Sequence, residues 1–114
     1  MRYIFDLDGT LCHTPESRGP DGGFLERHYG ECTPYPSRIA AVNRLYDEGH
    51  TIVIDTARGA STGVNWLPLT TQQLANWGLR YHKLRVGTKA GGDLYIDDRS
   101  VRPEEFFNDL RGSS

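Results

Sequence analysis

The apolar residues of this chain fall into short segments, and the clearest of these stop at acidic or hydroxyl side chains. Tyr3-Ile4-Phe5 runs into Asp6-Leu7-Asp8, Thr51-Ile52-Val53-Ile54 into Asp55-Thr56, and Leu94-Tyr95-Ile96 into Asp97-Asp98. Near-continuous apolar runs of this length suit strands buried on both faces of a parallel sheet. Helical spacing separates them. Ser37 is placed to cap a helix in which Ile39, Val42, Leu45 and Tyr46 recur every three to four residues, with Gly49 as its stop. Leu69 to Trp77 reads as a second helix with Leu74 and Trp77 inward and Gly78 as C-cap, and Tyr81 to Val86 as a strand. Glu104 to Leu110 follows Pro103 as a last short helix. The order β-loop-α-β-loop-α-β-β-α predicts an α/β fold with a mostly parallel, helix-covered sheet.

A chain of 114 residues has room for one such domain and not two. It is long enough to bury about two-thirds of its unfolded surface without disulfide staples, and its two cysteines form no disulfide framework. No apolar run approaches the roughly 20 residues of a membrane span. The opening MRYIFDLDG puts acids where a secretory signal needs its apolar centre, so the expected compartment is the cytoplasm. Thirteen Lys+Arg against fifteen Asp+Glu leave a net charge of -2, which offers no basic footprint for nucleic acid. Many of the 13 Gly and 6 Pro lie in residues 9–36 and 59–92. Residues 12–36 show no sustained periodicity and are too long to be an idle connection, so a loop or small hairpin acting as a functional flap is expected there. Residues 112–114 read as a frayed tail.

Open α/β sheets bind ligands beyond the carboxyl ends of their strands, so the acidic clusters are expected to converge on one site. Asp6, Asp8, Asp97 and Asp98 would repel one another severely without a cation, and oxygen-only donors select a hard one, Mg²⁺. A carboxylate beside such an ion can attack phosphorus to form an aspartyl-phosphate. A second carboxylate two residues on can act as general acid and then general base. Thr56 offers a hydroxyl, Arg58 a bidentate fork and Lys89 a point charge to a phosphoryl group, and the N–H groups of Gly9 and Thr10 are placed to hold its oxygens. Each feature alone has a plainer reading: Asp-Gly is a turn dipeptide and most lysines are simply solvated. It is their appearance together, in order, that points to chemistry.

The segment D-L-D-G-T-L at 6–11 resembles the first motif of the haloacid dehalogenase superfamily of phosphatases. I-V-I-D-T-A-R at 52–58 resembles the second, Lys89 fits the third, and Y-I-D-D-R at 95–99 fits the fourth. Within the superfamily the chain is most similar to the small capsular-polysaccharide-biosynthesis phosphatases, through T-A-R-G at 56–59, N-W-L-P-L at 65–69 and D-L-Y-I-D-D-R-S-V-R-P-E-E-F at 93–106. The resemblance implies a single Rossmann-like, haloacid dehalogenase-like catalytic domain over residues 1–111. It implies Asp6 as nucleophile, Asp8 as acid/base with its backbone carbonyl on Mg²⁺, and Thr56 with its neighbours Ala57 and Arg58 at the phosphate. Lys89 would neutralise phosphate and nucleophile, and Asp98 with Asp97 would complete the metal site. An acid at position 8 favours phosphatase over dehalogenase. Two departures stand out: no proline follows Lys89 in G-T-K-A-G-G, and Asp55, commonly apolar in the family, calls for a polar neighbour.

The insertion at residues 11–36 is long enough for a flap and short for a cap domain, which implies an open, capless site suited to a bulky substrate or covered by a second copy of the chain. Arg18, Tyr29, Tyr35 and Trp66 are the residues to test for substrate contact, against the plainer expectation of local packing. Cys12, His13, His28 and Cys32 could in principle hold zinc, though their spacing matches no standard site. The expected activity is hydrolysis of a phosphate monoester, with a small phosphorylated sugar of polysaccharide assembly as the substrate the resemblance suggests. A polynucleotide 3′-end phosphatase and a non-catalytic binding module on the same scaffold are the alternatives.

Overall fold

The structure is a computed structural model, and it describes residues 1–60, 62–87, 104, 106 and 107. Among them, three parallel strands form the central sheet: β1 (Arg2–Asp6), β6 (Thr51–Thr56) and β7 (Lys83–Val86), in the order β1-β6-β7. Tyr3 pairs with Ile52, Phe5 with Ile54 and Asp6 with Asp55, and across the other edge Ile54 pairs with Leu84 and Thr56 with Val86. Helix α1 (Pro36–Asp47) lies between β1 and β6 in the chain, and α2 (Leu67–Asn76) between β6 and β7. This is the small α/β architecture that the alternating pattern predicts. The expected strand at Leu94–Ile96 lies outside the described residues. Of the expected last helix, Glu104, Phe106 and Phe107 are described and are helical.

The strands are not all buried on both faces. In β6, Ile52, Val53 and Ile54 are all at most 1% exposed, as befits the middle strand. β1 alternates instead: Phe5 is buried and Tyr3 packs against the core, while Ile4 stands 51% exposed. Phe5, Ile52 and Ile54 form one cluster with Ile39, Val42 and Leu45 of α1, Leu74 of α2, and Leu79. Phe106 and Phe107 close on β1, with ring centroids 5.6 and 6.1 Å from Phe5. Offset and edge-on ring pairs of this kind add to the stabilisation from apolar area alone.

Both helices begin at a proline in the first turn rather than at a polar cap. Tyr35 is the N-cap of α1, so Ser37 lies inside the helix and not at its cap. The fixed φ of Pro36 is already helical and its missing N–H costs nothing there, which sets the start. Trp66 plays the same part before α2, and Pro68 opens that helix two residues earlier than the apolar spacing suggests. Trp77 is the C-cap of α2, followed by Gly78 at φ +70°. β7 starts at Lys83 because His82 is spent on the neighbouring strand: its N–H donates to the Ile52 carbonyl and its Nδ1 accepts from the Ile52 N–H at 3.0 Å.

The insertion after β1 is built from two short antiparallel pairs, and among the described residues it forms no cap domain. β2 (Cys12–His13) pairs with β5 (Thr33–Pro34) at its base, and β3 (Glu16–Arg18) pairs with β4 (Phe24–Arg27) at its tip. The tip turn uses Gly22 at φ +82°, a bond from the Gly19 N–H to the Gly23 carbonyl, and the Asp21 carboxylate accepting from the Gly23 N–H. The Gly-Pro-Asp-Gly-Gly stretch is thus a hairpin turn. No helix among the described residues is long and apolar enough to cross a membrane.

Candidate functional site

Parallel pairing of β1 with β6 brings Asp6 beside Asp55 at the carboxyl end of the sheet, with Asp8 and Thr56 just beyond. Asp6 is an exposed residue at the strand end, with its carboxyl partly desolvated against the end of the sheet. Burial holds its carboxyl above the ordinary value, and the charges of Asp8 and Asp55 push it further up, against the Leu7 amide and the Arg27 charge, which pull it down. Asp55 does face a polar neighbour: Arg85 Nη2 donates to its carboxylate at 3.2 Å.

Asp8 sits in a different setting. After β1 the chain turns sharply through Gly9, at φ +82°, so that Asp8 folds back over the sheet end. Its carboxylate meets the guanidinium of Arg58 side-on, with Nη2 at 2.8 Å from Oδ1 and Nε at 3.0 Å from Oδ2. The Arg58 side chain is 0% exposed and that of Asp8 13%. Thr14 adds its hydroxyl to Asp8 Oδ1 at 2.5 Å, and Thr56 donates to Oδ2 at 3.4 Å. Burial alone would raise the Asp8 pKa, but the bonds from Arg58, Thr14 and Thr56 outweigh it and hold the carboxyl below its ordinary value. Burial likewise opposes the charge on Arg58, and the Asp8 bonds more than restore it.

The buried guanidinium needs further acceptors, and α2 supplies them. Arg58 Nη1 donates to Thr70 Oγ1 at 3.1 Å and to Gln73 Oε1 at 2.6 Å, while the Gln73 amide donates to the Tyr29 carbonyl at 2.5 Å. The Tyr29 ring covers the guanidinium at 4.8 Å and packs edge-on against Trp66 at 5.0 Å. The inward face of α2 is therefore partly polar: Thr70 and Gln73 are buried beside Leu74, while Trp77 is only half-buried. Gly59 follows at φ +82°, and a Cβ there would lie 2.1 Å from the Val64 carbonyl oxygen. The T-A-R-G stretch thus combines a hydroxyl, a buried cation and a backbone approach that excludes a side chain.

Three expectations change on this geometry. Arg58 is turned inward onto Asp8 and α2, so its fork is not offered to a phosphate. Ala57 is exposed beside it. The Gly9 N–H donates to the Cys12 carbonyl at 2.9 Å and the Thr10 N–H to the Leu7 carbonyl at 3.2 Å, so both amides are spent on closing the turn. The Cys/His set does not gather either. Cys12, Cys32 and Asp8 place their ligand atoms within 4.8 Å of one another, whereas His28 bonds to Ser17 on the flap. Tyr29, Trp66 and Tyr35 pack locally, Tyr35 under the Arg38 guanidinium at 5.1 Å. Lys89, Asp97 and Asp98 lie outside the described residues. Thr14, Cys32, Thr70 and Gln73 carry the Asp8–Arg58 pair and have no local sequence signature, apart from the need of a buried arginine for acceptors.

A cleft of about 460 Å³ opens over this end of the sheet, bordered by Asp8, Gly9, His13, Thr14 and the flap residues Glu16, Arg18 and Arg27. Of the residues singled out for substrate contact, Arg18 is the one that lines it.

No family model matches the chain, and neither does any curated protein. Among solved structures, a crystal structure of a target protein from Vibrio cholerae is similar, with a TM-score of 0.69 and 30% sequence identity over 93% of this chain and 86% of the other. The two chains belong to one family. The likeness spans nearly all of both proteins, so they share one overall fold. It speaks to fold and not to chemistry.

Proposed function

We propose that the chain is a Mg²⁺-dependent phosphomonoesterase with a capless, haloacid dehalogenase-like Rossmann domain, working through an aspartyl-phosphate on a phosphorylated sugar of polysaccharide assembly. The observation that carries the reading is the meeting of Asp6, Asp8 and Thr56 at the carboxyl ends of β1 and β6, beside a cleft wide enough for a small substrate. The two carboxylates stand in different settings: Asp8 is gripped by the Arg58 guanidinium, and Asp6 lies beside Asp55 at the strand end.

Asp6, exposed at the strand end, attacks phosphorus as the ester oxygen leaves. Asp8 protonates that oxygen, then takes the proton from the water that attacks the aspartyl-phosphate, which returns Asp6 and releases phosphate. Arg58 fixes the direction of the Asp8 carboxylate and favours its ionised form, so the base half of the cycle is the better supported. Asp6, Asp8 and Asp55 offer the oxygen donors a hard cation takes, but Arg58 already pairs with Asp8 and Arg85 with Asp55, so what supports a cation here is the resemblance of the D-L-D-G-T-L segment. Mg²⁺ would supply charge neutralisation for the phosphoryl oxygens, held by the Asp6 carboxylate and the Asp8 main-chain carbonyl, with Asp97 and Asp98 as further candidates. In the Asp8–Cys12–Cys32 triad Arg58 Nη2 already lies 2.8 Å from the Asp8 carboxylate and 3.3 Å from the Cys32 sulfur, and its charge disfavours a cation there.

The test is Mg²⁺-dependent phosphate release from a panel of sugar phosphates, nucleotides and 3′-phosphorylated oligonucleotides. Wild-type protein is expected to hydrolyse sugar phosphates, and Asp6→Asn to lose turnover while keeping its fold. Full activity of a pure Asp6→Asn preparation would falsify the assignment, and inactivity of the wild type on the whole panel would favour a binding module.

A further inference from the structure

The chain has two cysteines, and the fold brings both to one point beside Asp8. β2 and β5 form the neck of the insertion, with Cys12 opposite Pro34 and His13 opposite Thr33. The same register carried one residue further sets Thr14 opposite Cys32, and alternation turns Cys12, Thr14 and Cys32 to one face. The contacts agree: Thr14 Oγ1 lies 3.2 Å from the Cys32 sulfur and 3.7 Å from the Cys12 sulfur. Both sulfurs reach Asp8 Oδ1, at 3.8 and 3.9 Å, and they lie within 4.8 Å of each other. Cys12 is fully buried, whereas Cys32 is partly exposed.

Packing alone does not call for this arrangement. A small apolar side chain would fill the core at Cys12 and would need no thiol at its side. What neighbouring thiols can do, and other small side chains cannot, is exchange their hydrogens for a sulfur–sulfur bond. Such a bond needs Cα atoms no more than about 6.8 Å apart, and diagonal neighbours across a strand pair stand roughly 7–8 Å apart. Closing it therefore draws the neck together by on the order of 1 Å. The neck can give, since β2 and β5 are two residues each. Cys12 is anchored, with its side chain in the core and its carbonyl accepting from the Gly9 N–H at 2.9 Å, so Cys32 is the one to move. Cys32 directly follows the helical turn Tyr29–Glu31. Tyr29 in turn braces Arg58, covering its guanidinium at 4.8 Å while its carbonyl accepts from Gln73. Drawing Cys32 toward Cys12 takes its sulfur from Arg58 Nη2, now at 3.3 Å, and pulls on the groups that hold Arg58 against Asp8.

We propose that Cys12 and Cys32 are a reversible redox switch: a small-molecule disulfide links them, which ties the neck of the insertion and loosens the Asp8–Arg58 pair. Control of hydrolysis by this bond rests on the phosphomonoesterase reading of Asp8; the bond itself does not. Cys32, the accessible sulfur, attacks the small disulfide, forming a mixed disulfide and releasing one small thiol. Cys12 then attacks the Cys32 sulfur, and the second small thiol leaves. Both protein S–H bonds are oxidised to one S–S bond, the small disulfide is reduced to its thiols, and each cysteine proton ends on a departing sulfur. Excess thiol runs the exchange backward.

The experiment incubates the full chain with glutathione disulfide, quenches with acid, and reads intact mass and peptide maps. The wild type is expected to lose a pair of hydrogens without an adduct, with the Cys12 and Cys32 peptides joined, and to recover its thiols in dithiothreitol. Cys12→Ala should stop at a glutathione adduct on Cys32, and Cys32→Ser should leave Cys12 unmodified. Circular dichroism checks that both variants fold, and the wild-type map stands without them. Hydrolysis of p-nitrophenyl phosphate with Mg²⁺ should fall about tenfold in the linked wild type, as the loss of one hydrogen bond to a charged group gives, and return with dithiothreitol. Thiols that join only in urea, a wild-type reaction that stops at the adduct, or a linked form as active as the reduced one would each overturn the proposal. If the reduced wild type hydrolyses no phosphate ester, the phosphomonoesterase reading fails on its own. Hydrogen exchange of residues 14–31 then decides the switch: slower exchange in the linked form supports it, and unchanged exchange overturns it.

Discussion

Replacing Arg58 by methionine keeps the length of the side chain and removes its charge from the most buried ion pair described. Asp8 then loses two charge-assisted bonds, at 2.8 and 3.0 Å, while Thr70 Oγ1 and Gln73 Oε1 lose a shared donor. Removing one member of a buried pair typically costs about 3–5 kcal/mol, because the other charge stays behind uncompensated. Against a total stability of roughly 5–15 kcal/mol, that is a large fraction. Urea unfolding followed through Trp66 and Trp77 measures it by linear extrapolation. The pH dependence carries the sharper test. In the wild type the folded pKa of Asp8 lies below its ordinary 3.8, so the ionised carboxylate contributes stability above that value and loses it as pH falls through the depressed one. In Arg58→Met, burial acts on Asp8 with only Thr14 and Thr56 against it, and the folded pKa rises. The penalty measured at pH 7 should therefore shrink on going to pH 4. The double variant Asp8→Asn with Arg58→Met should recover part of the loss, since no stranded charge remains. A cost under about 1 kcal/mol, or the same cost at both pH values, would refute the account of Arg58 as the partner that fixes Asp8.

Two further outcomes follow from the same geometry. Gly59→Ala forces a Cβ to 2.1 Å from the Val64 carbonyl at φ +82°, whereas Gly49→Ala, at φ +93°, meets nothing within 4 Å; Gly49→Ala should cost about 1–2 kcal/mol for conformation alone, and Gly59→Ala clearly more, so equal urea midpoints would contradict the close approach. Cys12 is buried, with its thiol pushed up to about 12, and iodoacetamide at pH 8 should modify it many times more slowly in the native protein than in urea; equal rates, read by mass spectrometry of the Cys12 peptide, would contradict its burial.

Much of the fold is legible in the chain itself because its determinants are local. The apolar runs at Tyr3–Phe5 and Thr51–Ile54 name two of the sheet's strands, and the spacing of Ile39, Val42 and Leu45 names the buried stripe of α1. Gly9, Gly49 and Gly78 all take positive φ at turns or helix ends where the sequence places them. The helix starts are less legible, because serine caps and proline starts compete and Pro36 prevails over Ser37. The double burial expected of β1 depends on what covers its second face, which no strand pattern states.

The site divides along the same line. Acids and a hydroxyl at the ends of predicted parallel strands are enough to bring Asp6, Asp8 and Thr56 to one edge, because parallel strands put their carboxyl ends together whatever the loops do. The partners of those groups are another matter. An exposed-looking arginine in T-A-R-G becomes the buried counter-ion of Asp8 only when α2 brings Thr70 and Gln73 to its other side and Tyr29 covers it. The amides of Gly9 and Thr10 look open to a ligand until the turn closes on the Cys12 and Leu7 carbonyls. Cys12 and Cys32 meet across a neck whose register sets which face they share. The sequence by itself determined β1 and β6, the turn glycines and the placing of Asp6, Asp8 and Thr56 at one edge, since each depends on neighbours within a few residues. Tertiary structure alone decided which charge neutralises which, because a buried ion takes whatever partner packing delivers, here one 50 residues away.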